Sequence, residues 1–189
     1  MAGPLIRLAS AADAAAIAAV YAPYVTESFV SFEEVAPKAE EMAARIAGDG
    51  SGLHPWLAAE SDGRLLGYAS SAAFRSRRSY RWTVETGVYL AAEAQGRGLG
   101  HQLMERMIDL LTAQNFTTAV AGITLPNAAS VALHERLGFA PCALYRDTGF
   151  KLGEWRTVQV FARDLAPRLN PPLELRPFSD CASSPSAGG

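Results

Sequence analysis

WTVETGVYLAAEAQGRGLG, residues 82–100, is the stretch on which the fold turns. Its first half, Trp82 to Leu90, is rich in β-branched and aromatic residues and long enough for a central strand. Its second half carries Gly96, Gly98 and Gly100. From there Leu99, Leu103, Met107 and Leu110 recur every three to four residues, the period of a helix with one buried face. A strand that passes through glycines directly into a helix presents unpaired backbone N–H groups, backed by the positive end of the helix dipole. Glycine also lets that backbone approach an anion closely and take a positive φ. The stretch therefore predicts an anion of phosphate type at a helix start, with Arg97 as a charged donor. Spacing alone equally permits a glycine-rich turn that only reverses the chain. A nicotinamide fingerprint does not fit, because the third glycine of GxGxxG is missing in either frame; no Lys-Ser/Thr pair follows for a Walker loop.

Upstream, Leu5 to Leu8 reads as a short strand. Ser10 caps an Ala-rich helix whose apolar face is Ile17, Val20, Tyr21 and Tyr24, and Asp13 and Pro23 break that run too early for a membrane span. A second helix is expected from Lys38 to Ala47, stopping at Gly48. Trp56–Glu60 and Leu65–Ala73 read as strands joined by an Asp62-Gly63 hairpin turn. Downstream, Thr117–Leu125 returns to strand character, Ala128–Leu137 is helical and closed by Gly138, and strands follow near Ala140–Tyr145 and Thr157–Arg163. The alternation predicts a mixed α/β fold with a crossover after Leu90.

A chain of 189 residues fits a single domain, placed at 1–166, with a Pro-, Ser- and Gly-rich extension at 167–189 that is disordered towards SSPSAGG. A formal charge of −2 gives no basic field for nucleic acid or membrane. Cys142 and Cys181 lack metal-ligand spacing, so neither a metal nor a disulfide framework is expected. The N-terminus lacks a basic and an apolar signal region, which makes the expected location cytoplasmic.

Three features carry chemistry. Glu85 lies mid-strand, on one face with Gly87 and Tyr89, where a carboxylate needs a partner or a task; a salt bridge to Arg75, Arg77 or Arg81 is the ordinary alternative. His134 follows Asn127 by seven residues on the same helix face, and a lone helical histidine is commonly a plain hydrogen-bonded residue. Arg75, Arg77, Arg78 and Arg81, with Tyr80, form a basic loop that reads either as a solvated run or as a carboxylate-binding fork.

SFVSFEE (28–34), WTVETGVYL, QGRGLG, LPNAASVALHERLGF (125–139) and GFKLGEW (149–155) occur in an order that resembles the GNAT acetyltransferase superfamily. Within it the chain is similar to the phosphinothricin and methionine sulfone/sulfoximine N-acetyltransferases, from Leu5 to Leu165. The resemblance implies a mixed twisted sheet with splayed central strands flanked by helices. It implies acetyl-CoA as co-substrate, its pantetheine paired with the backbone of Val88, Tyr89 and Leu90. Its pyrophosphate would lie on Gly96, Arg97, Gly98, Leu99, Gly100 and His101, with Asn127 bonding the pantetheine. Glu85 matches the general base. His134 stands where many relatives carry tyrosine, as an acid for the leaving thiolate or a second base. A backbone N–H near Leu90 would hold the developing oxyanion. Phe32, Arg75, Arg77, Tyr80 and Thr124 match residues that face the acceptor. Arg75 and Thr124 depart from the lysine and glycine of some phosphinothricin enzymes, which implies a smaller or more polar pocket.

The function that follows is direct acetyl transfer to the α-amine of a small amino-acid-like molecule. The alternatives are another amine (a peptide N-terminus, a polyamine, an aminoglycoside) or a silent acetyl-CoA-binding regulator. Relatives are often homodimers, so the resemblance implies a dimer as well.

Overall fold

The computed structural model describes residues 3–181. Strand β1 (Leu5–Leu8) enters a 3₁₀ turn (Ala11–Asp13) that leads into α1 (Ala14–Thr26), and α2 (Ala39–Ala47) follows. Then come β2 (Trp56–Ser61), β3 (Arg64–Ala73), β4 (Thr83–Leu90), α3 (Leu99–Ala113), β5 (Thr118–Thr124), α4 (Ala128–Arg136), β6 (Ala140–Lys151) and β7 (Glu154–Asp164). The sheet order is β1-β2-β3-β4-β5-β7-β6. Only β4 and β5 run parallel, joined by the crossover through α3; every other neighbour is antiparallel.

Local chemistry accounts for most of these boundaries. Asp13 accepts from the Ser10 N–H at 2.8 Å, closing the first turn, and Arg7 ties Asp13 to Glu60 across the sheet edge. Asp62 and Gly63 take φ of 52° and 73°, the paired positive values that a two-residue hairpin turn needs. Gly48 ends α2 at φ 60°. As expected, α1 is too short for a membrane span at 13 residues. Pro23 lies in its last turns and lacks one donor, and there the Thr26 and Ser28 hydroxyls donate to the carbonyls of Ala22 and Tyr24.

The core has two layers. Leu99, Leu103, Met107 and Leu111 of α3 pack on one face of the sheet against Val84, Ala119 and Phe161. Ile17, Tyr21 and Val25 of α1 and Met42 of α2 cover the other face over Tyr68, with Tyr89 packed alongside. Strands β6 and β7 are longer than the pattern predicts. Residues 146–148 interrupt the apolar alternation, and a register irregularity between Tyr145 and Gly149 carries β6 past them while β7 keeps pairing.

Pairing between β4 and β5 is confined to Thr83–Glu85 against Thr118–Val120. Beyond that point β4 stays paired with β3 as far as Leu90, and β5 stays paired with β7 as far as Thr124. The two strands therefore part after Glu85. A last link is the Thr86 hydroxyl, which donates to the Val120 carbonyl at 3.3 Å.

The extension after Pro167 packs back onto the domain as far as Cys181. Trp82 donates to the Leu173 carbonyl, and Gln114, fully buried, donates to the Arg176 carbonyl at 2.9 Å. Cys181 is buried, and Leu175 and Phe178 pack against the α3 core. The expected disorder of SSPSAGG lies outside the described residues.

Candidate active site

The parting strands open a cavity of about 450 Å³ lined by Val88 and Leu90 of β4, Gln95, Gly96, Gly98, Gly100 and His101, and Asn127, Ala129 and Leu133 on and before α4. Gly96 and Gly98 have φ of 71° and 80°, and Gly98 is the N-cap of α3. The first intrahelical bond is Gln102 N–H to Gly98 O, so the amides of Leu99, Gly100 and His101 precede any helical partner. That end of the cavity has the donor set and the dipole for a pyrophosphate. At Gly100 a Cβ would sit 3.5 Å from Leu90 and from Leu133, an ordinary contact, so its contribution to the site is its backbone N–H. The Leu99 side chain is core, which leaves its backbone N–H for a ligand as expected; Arg97 is exposed and is not part of the cavity wall.

Strand alternation decides which backbone groups face the gap. Ala91 N–H bonds Leu66 O on β3, so the odd-numbered residues of β4, Tyr89 among them, turn their peptide groups to β3. The expected Tyr89 backbone contact with pantetheine is thereby lost; its ring packs among Tyr21, Tyr24 and Tyr68 instead. Val88 and Leu90 face the gap. Leu90, however, has its partner: its N–H donates to the Tyr24 hydroxyl at 3.2 Å, and that hydroxyl donates to Leu90 O at 2.7 Å. Of the gap-facing amides near Leu90, the Leu90 N–H is thus already bonded, and the N–H of Val88, two residues earlier, faces the gap as well.

At the closed end lies a small cavity of about 50 Å³, lined by Val30, Gly87, Val88, Gly122, Thr124, Asn127, Ser130 and His134 among others. Asn127 caps α4, its Oδ1 accepting from Ser130 N–H at 3.1 Å, which leaves the amide NH₂ as a donor toward both cavities. His134 is 3% exposed. Its Nδ1 lies 2.8 Å from the Ser130 carbonyl, which can only accept, so the proton sits on Nδ1. Nε2 is buried with no protein partner. Burial pushes the imidazole pKa down, partly offset by the Ser130 bond, so the neutral ring keeps a free lone pair at Nε2.

Glu85 stands where β4–β5 pairing ends, level with Val120. Its Oε1 lies 4.0 Å from where a Cβ on Gly122 would be, so the carboxyl lies next to Gly122 of β5. The residue opens to solvent, yet burial around the carboxyl raises its pKa. Among the described residues no cation bridges it. The alternative partner Arg81 stacks on Trp82 and pairs with Glu174, and Arg75 lies over the rings of Phe74 and Tyr80.

The acceptor residues divide. Thr124 is on the small cavity's wall. Arg75 and Tyr80 meet each other, but neither they nor Arg77 line that cavity, and Phe32 stacks over Gly149, where a Cβ would meet its ring at 2.2 Å. Val30, Gly122 and Ser130, missed in the sequence, do line it. Val30 sits in SFVSFEE, the motif that also holds Phe32.

A helix N-terminus opening on splayed strands, with a buried unpaired imidazole at the closed end, defines a protein that holds an extended anionic co-substrate. Residues 6–157 match the acetyltransferase (GNAT) domain family, and the chain belongs to it. It is 37% identical over 161 residues to a phosphinothricin N-acetyltransferase of Alcaligenes faecalis, covering 85% of this chain and 82% of that one. It is 36% identical over 150 residues to the L-methionine sulfoximine/L-methionine sulfone acetyltransferase of Salmonella typhimurium, covering 79% and 88%. A crystal structure of a GNAT phosphinothricin acetyltransferase from Sinorhizobium meliloti, in complex with acetyl-CoA, superposes with a TM-score of 0.86 at 34% identity, covering 94% of this chain and 98% of that one. The fold class expected from the sequence is thus the one observed, and the chain is an N-acetyltransferase.

Proposed function

We propose that this enzyme moves acetyl from acetyl-CoA to the α-amine of a small acidic or sulfone-bearing amino acid by direct transfer. The single observation that carries the reading is Glu85 where β4–β5 pairing ends, without a cation partner among the described residues and raised in pKa by burial, on the strand whose Val88 and Leu90 line the groove that begins at the glycine-lined start of α3. Names of relatives that act on phosphinothricin and methionine sulfoximine support the substrate class. The amides of Leu99, Gly100 and His101 hold the pyrophosphate, Val88 and the Asn127 amide hold the pantetheine, and Thr124 makes the acceptor pocket polar.

Glu85 takes a proton from the substrate ammonium, directly or through water, and the free amine attacks the thioester carbon. The Val88 N–H donates to the oxygen on which charge develops. His134 Nε2 accepts the second proton from the nitrogen as the C–N bond forms, and returns it to the thiolate as the C–S bond breaks. Arg75, Arg77 and Tyr80, in the loop before β4, steer an acidic acceptor rather than a cationic one. Phe32, packed over Gly149, walls the acceptor side in this reading. In this reading the protein works in the cytoplasm as a homodimer, supported by the free thiols Cys142 and Cys181 and by Leu144, Tyr145, Phe150 and Trp155 exposed on the edge hairpin.

A thiol-release assay over methionine sulfone, methionine sulfoximine, phosphinothricin, spermidine, an aminoglycoside and an alanyl peptide tests this. The expected order places methionine sulfone and sulfoximine first, with kcat/KM at least about 10²-fold above the cationic amines. Preference for a polyamine overturns the acceptor class, and no turnover with any amine overturns the catalytic reading.

A further inference from the structure

One hydroxyl holds together three parts of the cofactor groove that are far apart in sequence. Tyr24, on the last turns of α1, donates to the Leu90 carbonyl at 2.7 Å and accepts from the Leu90 N–H at 3.2 Å and from Gln95 Nε2 at 3.1 Å. That uses the whole capacity of a phenol, one donor and two lone pairs. Leu90 lies beyond the end of β4–β5 pairing, so its gap-facing peptide groups have no strand to bond. Gln95 opens the glycine segment that starts α3. The Tyr24 ring is held in turn, edge-on to Tyr89 at 5.2 Å.

Two cavities share Tyr24, Leu90 and Gln95 as a common wall. One is the groove of about 450 Å³ described above; the other, of about 610 Å³, lies against α1 and is lined by Ala19, Val20, Pro23 and the Arg64–Glu93 ion pair. The three shared residues are the ones that the hydroxyl bonds together.

We propose that Tyr24 is a positioning residue for acetyl-CoA: it stands in for the missing strand at Leu90, fixes the end of the gap at Val88, and anchors Gln95 so that the amides after it face the pyrophosphate. This rests on the reading of the groove as the acetyl-CoA site. Tyr24 touches no reacting atom, so it acts on donor binding and not on the chemical step.

Tyr24→Phe keeps the ring packing and removes all three bonds. Its steady-state kinetics and its CoA affinity by calorimetry are compared with wild type, after thermal unfolding verifies the fold. The expected result is an acetyl-CoA KM and a CoA Kd raised together by about 5- to 20-fold, kcat within about twofold, and acceptor KM unchanged. Gln95→Ala produces part of the rise, and the double variant is no worse than Tyr24→Phe alone, because both remove one network. An unchanged or lowered acetyl-CoA KM overturns the proposal, the latter because the pantetheine would then compete with the hydroxyl for Leu90. A fall in kcat at constant KM overturns it as well. Absence of acetyl-CoA turnover by the wild-type enzyme would instead defeat the reading on which it rests.

Discussion

Burial acts on Glu85 and His134 in the same chemical sense, since it disfavours the charged form of each. It raises the Glu85 carboxyl and lowers the imidazole of His134, so the first becomes a stronger base while the second stays neutral with Nε2 free. In the proposed mechanism both groups must be deprotonated to act, so wild-type kcat/KM is expected to fall towards low pH with two protons' steepness. His134→Ala is expected to lower kcat by about 10²-fold and to reduce that steepness to one proton. A pH–rate profile of unchanged shape contradicts the role. The same shift bears on stability. The folded-state pKa of His134 is depressed, so its stabilisation is complete above the unfolded value of about 6.5 and is lost as pH falls through the folded one. Tyr24 belongs at this scale too: the sequence marks it only as one of an apolar helix face, and nothing local tells that its hydroxyl meets Leu90, a partner 66 positions away.

The glycine loop and the helix after it are the element that the residues reveal most directly. The reason is physical: positive φ at Gly96 and Gly98 can be met cheaply only by glycine, and the helical period of Leu99, Leu103 and Met107 is set by one buried face. At Gly98 a Cβ would meet nothing within 4 Å, so Gly98→Ala tests backbone strain and not a clash. The expected cost is about 1–2 kcal/mol in denaturant unfolding, with a raised acetyl-CoA KM and an unchanged acceptor KM. Wild-type stability and KM would show that the positive φ is not needed. Strands β2 to β5 were equally legible, because β-branched runs and the Asp62-Gly63 turn bound them. Strands β6 and β7 were only half visible, since β6 is an edge strand with exposed polar residues, and its pairing across the irregularity at Tyr145–Gly149 comes from β7. Pro23 near the end of α1 removes a donor without removing the packing of Ile17, Tyr21 and Val25.

Across the whole molecule, the site is made by two strands that stop pairing at Glu85, which no local pattern announces. The β3–β4 and β5–β7 pairings hold each half, so the gap between them is part of the stable sheet. The extension to Cys181 closes the far side of α3 over Gln114; its prolines suggested a loose tail, whereas alternating Leu173 and Leu175 fit an extended strap. In the proposed mechanism this arrangement separates donor binding, at the glycine loop, from proton transfer, at Glu85. The direct measurement is Glu85→Gln, which keeps the shape and removes the base, with kcat from thiol release and acetyl-CoA Kd from calorimetry. A kcat lowered by about 10²- to 10⁴-fold at unchanged Kd is the result expected of a general base. A kcat near that of the wild type would contradict it.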